Sequence, residues 1–157
     1  MTASHEARLA ELGIELPAVA PPVAAYVPAV VSGSYVYTSG QLPFVAGALP
    51  ATGKVGEGEG LVSAAEAKGY ARTAVLNALA AVRAEIGSLD RVVRIVKVVG
   101  FVASDPSFTG QPGVVNGASE LFGELFGDAG VHARSAVGVA VLPLDAPVEV
   151  ELVVEFA

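Results

Sequence analysis

With 157 residues, 53% apolar and only 16% charged, the chain has the length of one domain and more apolar surface than a small globule buries alone, so partner subunits are expected to cover part of it. Sixteen acidic against nine basic side chains, net −7, argue against a general binder of nucleic-acid backbones. Cysteine is absent, which removes disulfides, thiolate metal sites and a cysteine nucleophile and suits the cytoplasm, the expected location. Met1 to Glu6 lacks the basic start of a signal peptide, and no apolar run reaches the ~18 residues of a membrane span.

In chain order, the spacing predicts a short helix over residues 4–12, with Leu9 and Leu12 on one side, stopped by the proline-rich segment from Leu16 to Pro22. Two short strands are expected near 25–31 and 34–40, joined across Ser32-Gly33. Residues 42–62 read as a long loop. Its Gly47 to Lys54 stretch is no phosphate-binding loop, because Val55 stands where Ser or Thr would follow the lysine. Ser63-Ala64-Ala65-Glu66 has the spacing of a capping box. The helix it opens should reach about Ile86, with Ala71, Val75, Leu79, Val82 and Ile86 on its inner stripe and Gly87 as its stop.

Arg91 to Ala103 reads as a strand, rich in β-branched residues and apolar on both faces. A second long helix is expected over about 113–127, burying Val115, Ala118, Phe122, Leu125 and Phe126. Two last strands flank the turn from Leu142 to Pro147 and should pair as a hairpin. The order α-ββ-α-β-α-ββ makes one α+β domain: a sheet with helices on one side and partner subunits against the other.

Arg134 and Glu149 stand out as charges among valine and alanine, expected to point away from the helix-covered face. A guanidinium so placed needs an answering acceptor. It is either half of a structural ion pair or a bidentate receptor for a carboxylate, with Glu149 orienting a water. Ser39-Gly40-Gln41 ends a strand, where a glycine lets a ligand approach the main chain or merely relieves strain. Asn116, near the start of its helix, caps or binds a loop. His5 and His132 have no metal-ligand spacing, and His132 reads as a loop histidine; Ser39 and Ser135 lack a nearby base.

Tyr26, Ser39-Gly40-Gln41-Leu42-Pro43, Thr52-Gly53, Leu76-Asn77, Asn116, Ala133-Arg134-Ser135, Leu142-Pro143 and Val148-Glu149-Val150-Glu151 together resemble the RidA/YjgF family. These are reactive-intermediate imine deaminases, also called L-PSP endoribonucleases. The likeness covers roughly residues 20–157, leaving 1–20 as an extension with a short helix and 21–157 as the domain. It implies a chorismate-mutase-like α+β fold, a mixed sheet with two long helices packed on one face, assembled as a homotrimer around a central β-barrel with sites between subunits.

It further implies hydrolysis of 2-imino acids to 2-keto acids and ammonia without metal or organic cofactor. Arg134 would hold the carboxylate and Glu149 position the water, with Tyr26, Ser39, Gly40 and Asn116 lining the pocket. Ala136 stands where deaminase-type members usually carry cysteine. That departure keeps open a trimer that binds small carboxylates without turnover; the RNA-cleaving activity of the alternative name is disfavoured by the acidic composition.

Overall fold

A computed structural model describes residues 4–22 and 24–157. Residues 1–3, part of the expected extension and leader-free start, and Val23, part of the expected domain, lie outside the described residues. The first helix, α1 (His5–Glu11), is capped by Ser4, whose side chain accepts from Ala7 N. It buries Leu9, and Glu6 ties it to the main chain by accepting from Leu89 N.

Strands β1 (Ala29–Ser32) and β2 (Tyr35–Thr38) form the expected hairpin, shorter than their apolar runs. Gly33, at φ +58°, supplies the turn a side chain would disfavour. Helix α2 (Ala64–Ile86) begins at a complete capping box: Ser63 Oγ accepts from Glu66 N, and Glu66 Oε2 accepts from Ser63 N. All five residues of its inner stripe are buried, and Gly87 closes it with φ +87°. Helix α3 (Gln111–Phe126) follows β3 (Val92–Ala103) and buries the five residues its periodicity indicated. At Gly117 a Cβ would land on the Lys68 carbonyl, so the two long helices cross in close contact there.

Strands β4 (Ala133–Val139) and β5 (Val148–Phe156) complete a five-stranded mixed sheet in the order β1-β2-β5-β3-β4. The expected β4–β5 hairpin is therefore overturned. Helix α3 carries the chain from β3 to β4 as a crossover, which obliges β4 to lie parallel beside β3. β5 then takes the free edge of β3, antiparallel, and residues 140–147 pass over the end of that strand. Leu144 and Asp145 adopt φ +58° and +56° in this passage, and Lys54 holds Asp145 at 2.7 Å.

One face of the sheet is sealed by α2 and α3 over Val36, Ile95, Val98, Val102, Val148, Val150, Leu152 and Val154, all buried. On the opposite face Val30 (53% exposed), Tyr37 (48%) and Val137 (45%) are open, with Tyr35 beside them. Among the described residues no helix is long and apolar enough to cross a membrane.

Candidate functional site

Arg134 stands on the edge strand β4 opposite Val98 of β3, hence on the helix side of the sheet. This corrects the expectation that it points away from the helices. A Cβ on Gly100 would meet the Val115 side chain, so α3 lies close over β3 here. That approach brings the polar flank of α3 within reach of the guanidinium. Arg134 Nη1 donates to Asn116 Oδ1 at 2.8 Å and to Ser119 Oγ at 3.1 Å, while Nη2 donates to Pro112 O at 3.2 Å.

All three acceptors are neutral. Among the described residues no carboxylate pairs with Arg134. A guanidinium has five N–H donors, so Nε–H and one hydrogen of Nη2 remain. Those two donors are left to offer a ligand carboxylate. Asn116 and Arg134 thus come together as expected; Asn116 orients the arginine rather than capping its helix. Ser119 and Pro112 were missed. The signal available for Ser119 was its place one turn after Asn116, a polar pair on a mostly apolar helix.

Glu149 lies opposite Phe101 across the other edge of β3, on the open face of the sheet. In one protomer it is therefore separated from Arg134 by a strand and by the thickness of the sheet. Tyr26, Ser39 and Gly40 gather on the Glu149 side. Gln41 exchanges main-chain hydrogen bonds with Val150, N to O at 2.8 Å and O to N at 3.0 Å, which lays Gly40 against the Glu149 side chain. A Cβ on Gly40 would fall on Glu149 Oε1. Ser39 Oγ donates to Val27 O at 2.5 Å, and Tyr26, Pro28, Gly40 and Gln41 line a narrow cleft with Phe44. Asn77, buried in α2, pins this loop by donating to Leu42 O and Phe44 O, each at 3.1 Å.

No hydrogen bond or ion pair holds the Glu149 carboxylate among the described residues. Burial pushes its proton affinity above the ordinary glutamate value of 4.5, and the nearby Glu151 charge adds to the rise. The folded state then binds the proton more tightly than the unfolded chain does. That contribution to stability is complete below 4.5 and is lost as pH climbs through the raised folded value. Glu149→Gln is accordingly expected to be more stable than the natural chain at neutral pH, the gap closing as pH falls toward 4.5, in denaturant titrations of both proteins.

Ala136 lies opposite Gly100, on the Arg134 side and packed against the core. The structure thus places the seven expected residues in two groups, Arg134, Asn116 and Ala136 at the helix-side edge of β4, and Tyr26, Ser39 and Gly40 together with Glu149 on the far side of β3. No three metal-capable side chains converge among the described residues.

A family model described as "YjgF/chorismate_mutase-like, putative endoribonuclease" matches residues 6–156. The chain is 47% identical to Protein TCP17 of Trypanosoma cruzi over 152 residues, 95% of this chain and 92% of that one. Among solved structures it is similar to Atu1372 of Agrobacterium tumefaciens, with TM-score 0.87 and 44% identity over 98% of this chain and 92% of that one. It is also similar to Escherichia coli TdcF with bound serine, with TM-score 0.64 and 28% identity over 87% and 91% of the two chains.

Proposed function

The chain belongs to the YjgF/chorismate-mutase-like family, and from that premise we propose that it hydrolyses reactive 2-imino acids to 2-keto acids and ammonia at sites completed between protomers of a homotrimer. The observation that carries this reading is the unpaired fork of Arg134, held in place by neutral acceptors. Three protomers closing their open apolar faces together would bury Val30, Tyr35, Tyr37 and Val137. They would also set the Arg134 half of one protomer against the Glu149 half of its neighbour. The similar TdcF holds serine, which carries the same carboxylate.

In this site the substrate carboxylate takes the two free N–H groups of Arg134, fixing the imine carbon. Glu149, unpaired and with a raised proton affinity, accepts a proton as its water attacks that carbon. Glu149 passes that proton to nitrogen, giving the carbinolamine, and then relays the carbinolamine hydroxyl proton to the same nitrogen as the C–N bond breaks, so ammonia leaves and the oxygen stays as the carbonyl of a 2-keto acid. Imines hydrolyse readily, so positioning one anion and one water can supply several kcal/mol of the barrier.

The test generates 2-imino acids in situ from several amino acids with an amino-acid oxidase and traps the surviving imine. The protein is expected to lower the trapped fraction; an unchanged fraction for every substrate sinks the enzymatic reading. Ala136, a small apolar residue in the Arg134 half, favours one other reading, a carboxylate-binding trimer without turnover. It predicts that 2-keto acids raise the melting temperature while no imine is consumed.

A further inference from the structure

Ser119 and His132 belong to no motif, yet the fold aligns both with Arg134. His132 precedes β4 by one residue and Arg134 by two. Its Nδ1 lies 2.6 Å from Gly130 O, and since a carbonyl only accepts, that nitrogen carries the hydrogen. Nε2 lies 2.8 Å from Ser119 Oγ, the same oxygen that accepts from Arg134 Nη1. The Phe122 ring packs edge-on against the imidazole, centroids 5.4 Å apart at 76°. With the ring neutral, Ser119 donates to Nε2 and turns a lone pair to the guanidinium. With the ring protonated, Nε2–H donates instead, and two cations share one hydroxyl oxygen.

Such sharing is unfavourable beside an empty receptor and is relieved by an anion in it. We propose that His132, coupled through Ser119, is a second cationic element of the Arg134 receptor, so that a small carboxylate binds there together with a proton on His132. The inference rests on the reading of Arg134 as a carboxylate receptor.

The charged residues on the elements packed around His132 are Arg134 on β4, Arg94 on β3, which lines the same recess, Lys97 on β3, in register with Ala133, Asp128 in the turn before β4, and Glu120 and Glu124 on α3, paired with Lys68 and Arg72. None of these is of a residue type that ordinarily titrates between about pH 5 and 8, as imidazole does. Glu149 of the opposing half-site would respond to the ligand in the same direction, so the readout must belong to the imidazole itself.

Proton NMR of the assembled protein supplies it, because His5 and His132 are the only two imidazoles. Saturating 2-oxobutanoate is expected to raise the His132 titration midpoint by about 0.5–1 pH unit and leave His5 unmoved; reciprocity makes that a roughly three- to tenfold gain in affinity when His132 is protonated. His132→Gln, whose amide can still bond Ser119 but cannot take up a proton, should lose the affinity gain at low pH. A midpoint that does not move under saturation overturns the coupling while leaving Arg134 as receptor. Failure of 2-oxobutanoate to bind at any pH overturns receptor and coupling together.

Discussion

If the proposed function holds, Arg134→Lys should keep the fold and the natural chain's assembly state while losing most of the imine hydrolysis. Lysine keeps the charge but offers one ammonium in place of two parallel donors. It also cannot reach Asn116 Oδ1, Ser119 Oγ and Pro112 O together, the three contacts that aim the guanidinium. A lost hydrogen bond to a charged group is worth about 1.5–3 kcal/mol, roughly ten- to a hundredfold in kcat/KM. Because the carboxylate also fixes the reacting carbon, kcat should fall along with the rise in KM. Steady-state rates on imines made from two amino acids of different size would read both parameters. Unchanged kcat/KM would remove Arg134 from the site.

Gly40→Ala should be comparably damaging for a different reason. Gly40 has no left-handed backbone to lose, so alanine is acceptable to the chain itself. The added methyl would occupy the position of Glu149 Oε1 and force that carboxylate aside. The carboxylate is the end of a flexible, half-buried side chain, so the fold can yield there at small cost. Loss of a positioned base costs about 10²–10⁴ in rate. The double variant with Glu149→Gln should then be little worse than either single one, since both remove the same function. Additive losses would show that Gly40 serves something other than Glu149.

Where the sequence was legible, the reason is local chemistry. Ser63 and Glu66 announce α2 because their mutual caps need only residues three apart, and the stripe from Ala71 to Ile86 needs only helical period. Strand pairing is not local. The turn residues 142–147 suggest a hairpin, but a crossover helix between β3 and β4 places β3 between the two strands. The same step misdirected Arg134: alternation groups it with Ala136 and Gly138, whereas which face that is depends on where α3 lies. Gly40 against Glu149 was legible only as two separate segments, since the contact is made by Gln41 pairing with Val150 across the fold. Ser119 carries only the faint signal of following Asn116 by one turn, and His132 carries none that distinguishes it from a loop histidine.

Co-assembly of two inactive chains tests the account most directly. Arg134→Ala and Glu149→Gln protomers, unfolded together in equal amounts and refolded, would form mixed trimers. If each site takes its arginine from one protomer and its glutamate from the next, about one site in four regains both, and imine hydrolysis returns to roughly a quarter of the natural rate. If the two residues act within one chain, or the protein remains monomeric, the mixture will be as inactive as its parts.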